Sequence, residues 1–154
     1  MPDRPPIRLV VEAEAEAVRA ALLSVSEALR LPADEASTVE IVLAEAMNNV
    51  VEHAYAGGPG RMTLELRAAP DGLHCRLADR GRPLPKGRMP LGGAMPAGVA
   101  APDLPEGGFG WFLIRQLAHG LRHRRVEGRG GAENRLTFRL SVGLDRPCGE
   151  AGRA

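Results

Sequence analysis

Glu45-Ala46-Met47-Asn48-Asn49-Val50-Val51-Glu52-His53-Ala54-Tyr55 decides how the rest of the chain is read. On a helix, Glu45, Asn49 and His53 stand at i, i+4 and i+8 and form one polar ridge. The same helix, predicted from about Asp34 to Ala54, carries Val39, Val42, Leu43, Ala46, Val50 and Ala54 as its buried stripe, and Gly57-Gly58-Pro59-Gly60 stops it. The ridge flanks the stripe instead of opposing it, so it borders whatever packs beside the helix. Two readings stay open at this point. One is a solvated face, the ordinary place for Glu and Asn. The other is magnesium-nucleotide chemistry, in which a carboxamide oxygen takes one octahedral position on the ion. A carboxylate one turn away then accepts a proton from an attacking hydroxyl or water.

Outward from this helix, the chain reads in the order strand, helix, helix, two strands, long loop, helix, two strands. Ile7, Leu9 and Val11 have the period of a strand, and Val18, Ala21, Leu22, Val25, Ala28 and Leu29 that of a helix ended by Pro32. Met62, Leu64 and Leu66, a Pro70-Asp71-Gly72 turn, and Leu73, Cys75 and Leu77 predict a β-hairpin. From Pro83 to Pro105 there are six prolines and four glycines in 23 residues, which supports neither helix nor strand. Gly107-Gly108-Phe109-Gly110 then feeds a short apolar helix, Trp111 to Ala118, closed by Gly120. Strands from Leu121 to Glu127 and from about Asn134 to Val142, joined by a turn at Gly128 to Gly131, complete the pattern. Hairpins without alternating helical crossovers predict an α+β sandwich, one mostly antiparallel sheet with helices on one face.

Two more segments carry chemistry. Asp79 ends the second hairpin strand in Leu77-Ala78-Asp79-Arg80-Gly81, where it can accept from an exocyclic amine such as that of adenine while Gly81 lets the backbone turn. A plain strand-ending turn explains it equally well. The glycines at 107, 108 and 110 open a helix, where unpaired N–H groups and the absence of Cβ atoms favour a phosphate, or else simply cap the helix.

Composition narrows the classes. The 154 residues are 44% apolar and 25% charged, with 20 Lys+Arg against 19 Asp+Glu for a net +1, so no bias toward nucleic acid exists. Lys86 is the only lysine, and no Walker phosphate loop, dinucleotide fingerprint or G-x-S-x-G nucleophile motif occurs. Cys75 and Cys148 do not form a disulfide framework, and no apolar run approaches the roughly 20 residues of a membrane span, so a cytoplasmic protein is expected. His119 and His123 have zinc-like spacing but lack the usual partners, and Arg122-His123-Arg124-Arg125 reads as an exposed strand face or a patch for an acidic protein or phosphate.

In this order the segments resemble the GHKL (Bergerat, or HATPase) fold, and most closely the anti-sigma factor serine/threonine protein kinases of bacterial partner-switching systems. Their N-box is similar to Glu45-Ala46, Asn49 and His53-Ala54-Tyr55, and their D-x-G element to Asp79-Arg80-Gly81. Their second glycine box resembles Gly107 to Gly110 with the helix that follows, and their closing N-R-L-T strand resembles Asn134-Arg135-Leu136-Thr137. The resemblance implies a two-layer α/β sandwich with a long ATP lid, with ATP and Mg2+ as cofactors. By it Glu45 is the catalytic base, Asn49 the Mg2+ ligand, and Asp79 the adenine acceptor beside Gly81. Gly108 and Gly110 contact phosphate, and Thr137 is an adenine-side contact. An arm at 1–6, an ATP-binding kinase domain at 7–142 with its lid at about 82–107, and a polar tail at 143–154 are expected.

The function implied is an ATP-binding anti-sigma factor that sequesters a sigma factor and phosphorylates a STAS-domain anti-sigma factor antagonist. A homodimer is expected, with no direct contact to nucleic acid or membrane. The alternatives are a non-catalytic, ATP-responsive sequestering module and a kinase acting on another regulator.

Overall fold

The computed structural model describes residues 4–90 and 109–143. Its elements are β1 (Ile7–Glu12), α1 (Ala15–Leu29), α2 (Ala33–Asn49), β2 (Arg61–Ala69), β3 (Gly72–Asp79), α3 (Phe109–Leu117), β4 (His119–Gly128) and β5 (Gly131–Leu140). Alternation in the strands puts Val11, Met62, Leu64, Leu66, Leu73, Cys75, Leu77, Leu136, Phe138 and Leu140 on one buried face. The stripes of the helices meet that face through Val18, Val25, Val42, Leu43, Met47 and Ile114. A side chain buried this completely contributes about 1.5–3 kcal/mol, so the two-layer core is what fixes the helices on the sheet.

The sheet has the order β1-β2-β3-β5-β4 with every pairing antiparallel. β5 therefore lies between β3 and β4, and Asn134 comes opposite Asp79 in register. Local pattern alone does not give this insertion. It follows from α3 packing beside α2, which carries the chain past the sheet so that β4 forms the edge.

Two local features differ from the sequence expectation. α1 ends at Leu29 by a left-handed Arg30 (φ 49°), whose N–H donates to Ser26 O at 3.1 Å, and Pro32 instead precedes the first turn of α2. α2 does not run as one α-helix to Ala54. At Val50–Ala54 it widens into a π-helical turn, with Tyr55 N–H donating to Val50 O at 3.1 Å and Gly57 N–H to Val51 O at 2.9 Å. The expected lid shows one 3-10 turn, Pro85–Gly87, and its remainder at 91–108 lies outside the described residues, as does the tail at 144–154.

Candidate active site

The π-helical turn aims the end of α2 at the end of β3. Tyr55 locks the two together: its hydroxyl donates to Arg61 O at 2.6 Å and accepts from Arg80 N–H at 2.9 Å. Arg82 N–H donates to Ala54 O at 2.7 Å. A Cβ on Gly81 would collide with the carbonyl of Ala54, so the close approach of these two backbones requires glycine there.

Between α2, β3, β5 and α3 this leaves a cavity of about 520 Å3. Its walls are Ala46, Val50, Ala54, Leu77, Leu136 and Trp111, and its polar groups include Asn49, Asp79, His123 and Asn134. Small side chains on α2 thus give a flat apolar slot with a few convergent polar atoms, the usual constitution of a small-molecule site.

Asp79 and Asn134 are the buried polar residues among those described, 7% and 4% exposed. Asp79 Oδ1 accepts from Asn134 Nδ2 and from Gly81 N–H, each at 2.9 Å. Among the described residues no hydrogen bond falls on Oδ2, which leaves an acceptor for an amine in the cavity. Burial raises the Asp79 pKa, against the bonds from Asn134 and Gly81 that favour the carboxylate. Burial likewise lowers the pKa of His123, with Asp79 acting in the opposite sense. The imidazole of His123 thus lines the cavity with a weakened hold on its second proton.

Asn134 is the residue that sequence reading missed. Its amide nitrogen also reaches Arg82 O at 2.9 Å, and its oxygen accepts from Arg125 Nη1 at 2.8 Å, so it ties the aspartate to the start of the lid segment. The signal was available in parity, since Asn134 alternates with Leu136, Phe138 and Leu140 on the buried face. Thr137 has the opposite parity. It pairs with Arg76 on the outer side of the sheet and lines a different concavity, so the structure does not bring it to this site. Asn134→Ala leaves the Asp79 carboxylate short of a donor, and a loss of about 1.5–3 kcal/mol of unfolding free energy is expected by urea titration. An unchanged midpoint would mean that the network carries no stability.

Glu45 and Asn49 converge on the first turn of α3. A Cβ built on Gly110 would stand 2.5 Å from Glu45 Oε2 and 3.6 Å from Asn49 Oδ1. Glycine thus leaves space bounded by a carboxylate, a carboxamide and a helix start. Asn49 Nδ2 is buried with no hydrogen-bond partner among the described residues, a donor left over beside that space. This donor set fits a magnesium-bound phosphate: oxygen ligands for the ion and N–H groups for the phosphate oxygens. Gly108 lies outside the described residues. His53 borders the same cavity, but its side chain is exposed and lies 4.0 Å from Glu52. His119 and His123 line different concavities across the bulge in β4, and no cluster of three metal-binding side chains occurs among the described residues.

The sequence pattern of the histidine kinase-like ATPase domain family matches residues 11–140, from the end of β1 to the end of β5. The chain belongs to this ATPase domain family. It is 34% identical over 119 residues to the serine-protein kinase RsbW of Halalkalibacterium halodurans, covering 72% of this chain and 70% of that one. It is 27% identical over 126 residues to the serine-protein kinase RsbW of Bacillus cereus, covering 79% of each. Among solved structures, the blue-light activated histidine kinase of Erythrobacter litoralis superposes with a TM-score of 0.46 at 18% identity, over 82% of this chain and 41% of that one. The fold expected from the resemblance, a largely antiparallel sheet with helices on one face, is the fold observed. No helix among the described residues is long and apolar enough to cross a membrane.

Proposed function

We propose that the chain is an ATP-dependent serine/threonine protein kinase and anti-sigma factor, which sequesters a sigma factor and phosphorylates a STAS-type antagonist. The observation that carries the reading is the convergence of Glu45 and Asn49 on Gly110, with Asn49 lining the same cavity as Asp79. In this reading base recognition and phosphoryl chemistry share one slot. The names of the RsbW relatives support the choice of a protein hydroxyl as acceptor.

In this reading Asp79 accepts from the adenine amine, with Asn134 and the Gly81 N–H holding its other oxygen. Leu77, Leu136 and Trp111 exclude water from the base. Asn49 would hold Mg2+ and the α3 N-terminus the phosphates. The ion, bound with the nucleotide, neutralises phosphate charge. Glu45 accepts the proton of the serine hydroxyl as its oxygen bonds to the γ-phosphorus. The bond from that phosphorus to the bridging oxygen breaks, and ADP leaves. Most of the acceleration comes from positioning and charge stabilisation, as is usual for phosphoryl transfer. A homodimer and a cytoplasmic setting belong to the same proposal.

The test is incubation of the protein with Mg-ATP labelled at the γ-phosphate and a STAS-domain antagonist. Label in a serine or threonine of the antagonist is the expected result. Nucleotide binding without transfer to antagonist or other regulator would instead identify a sequestering module.

A further inference from the structure

Of the run Arg122-His123-Arg124-Arg125, only His123 and Arg125 serve the cavity. Strand parity sends Arg122 and Arg124 to the opposite face of the sheet, where their register partners are Thr137 and Arg135. By the same register Arg8, Arg67, Arg76 and Arg139 come to that outer face, so every strand contributes an arginine. The acids there are Glu12, Glu65, Glu133 and, in the turn between β2 and β3, Asp71, and each is engaged: Arg61 with Glu12 at 2.8 Å, Arg8 with Glu65 at 3.3 Å, Arg135 with Glu133 at 2.6 Å, and His74 and Arg139 with Asp71 at 2.7 and 3.8 Å. Among the described residues, Arg67, Arg122 and Arg124 are exposed and make no ion pair.

The helical layer has the opposite sign. Glu16, Glu27, Asp34, Glu40 and Glu52 lie on the outer sides of α1, α2 and the π-helical turn, with few arginines among them. The net +1 therefore conceals a molecule with one basic and one acidic side. On the basic side the sheet forms a concavity of about 900 Å3 that reaches all five strands and includes Arg67 and Arg122. The described helices all pack on the other face. Val10, 59% exposed, adds an apolar element.

We propose that this outer face is a docking surface for an acidic segment of a partner protein, held by Arg67, Arg122 and Arg124. Charge complementarity selects the occupant. A second copy apposed by the same face would set like charges together. A nucleic-acid backbone would meet Glu65 and Glu133 on this surface, and among the described residues no Phe, Tyr or Trp side chain is exposed there for bases to stack on. The face lies on the far side of the sheet from the cavity, so an occupant is not the phosphoryl acceptor and its binding does not depend on the nucleotide reading.

The experiment measures fluorescence anisotropy of a labelled Glu-rich helical peptide of about 20 residues at about 50 mM salt, where screening is weak. Its Gln-substituted analogue and a duplex DNA of similar charge serve as comparisons. Wild type is expected to bind the acidic peptide and not the analogue. The triple variant Arg67→Gln/Arg122→Gln/Arg124→Gln loses at least about tenfold in affinity, whereas Arg19→Gln/Arg30→Gln/Arg88→Gln, with the same change in net charge, does not. Circular dichroism and the thermal midpoint establish that both variants are folded, and single Gln variants replace a triple one that is not. Equal losses in the two triple variants, tighter binding of the DNA than of the peptide, or a wild-type dimer that the first variant dissociates would each overturn the proposal.

Discussion

Glu45→Gln is expected to reduce phosphoryl transfer to the antagonist by about 100-fold to 10,000-fold, the usual contribution of a general base, with Mg-ATP affinity within about twofold of wild type. Glutamine has the shape of glutamate and still fills the space against Gly110, so the helix start and Asn49 keep their positions. It lacks only the basicity needed to take a serine proton. The pattern that marks a base is therefore a fall in kcat without a rise in KM, read from single-turnover transfer alongside calorimetric binding of Mg-ATP. Retained transfer in the variant would remove Glu45 from the mechanism, whatever its position.

Asp79→Asn is expected to weaken ATP binding by at least about 100-fold, since a site built to accept a hydrogen bond would present an N–H2 to an amine. The variant amide oxygen can still accept from Asn134 and Gly81, so the network survives and the wrong group is left facing the cavity. Stability should move the other way. Burial raises the folded-state pKa of Asp79 above its unfolded value. The native state thus binds the proton more tightly, and this contribution is complete below the ordinary aspartate range and lost as pH rises through the raised pKa. Above that raised pKa the wild type carries a buried carboxylate that the variant lacks. Asp79→Asn should therefore be at least as stable as wild type at pH 7, with the difference shrinking as pH falls into the aspartate range. Urea titrations across that range check the sign, and calorimetry with ATP checks the binding. A folded variant that binds ATP normally would remove Asp79 as the base-recognition group.

These two residues were readable because their meaning is local. Glu45 and Asn49 share a helix face at a spacing of four, and Asp79 ends a strand whose alternation is unbroken from Leu73. Gly110 was readable as the opening of a helix, although its reason for being glycine is the approach of Glu45 from another element. Asn134 was harder: within Asn134-Arg135-Leu136-Thr137 only parity separates a residue facing Asp79 from one facing solvent. The π-helical turn at Val50–Ala54 has no proline or glycine to announce it, and it is held by contacts of Tyr55 with β2 and the end of β3.

The sequence by itself determined which segments are helices and strands, which face of each is buried, and which polar groups stand beside those faces. Periodicity and turn chemistry act over a few residues, and the chain states them directly. Only the tertiary structure decided that β5 inserts between β3 and β4, that Asn134 instead of Thr137 supports Asp79, and that the basic and acidic residues separate onto opposite sides. Those depend on strand order and register, which are set by how α3 packs against α2 and by core closure between elements far apart in sequence.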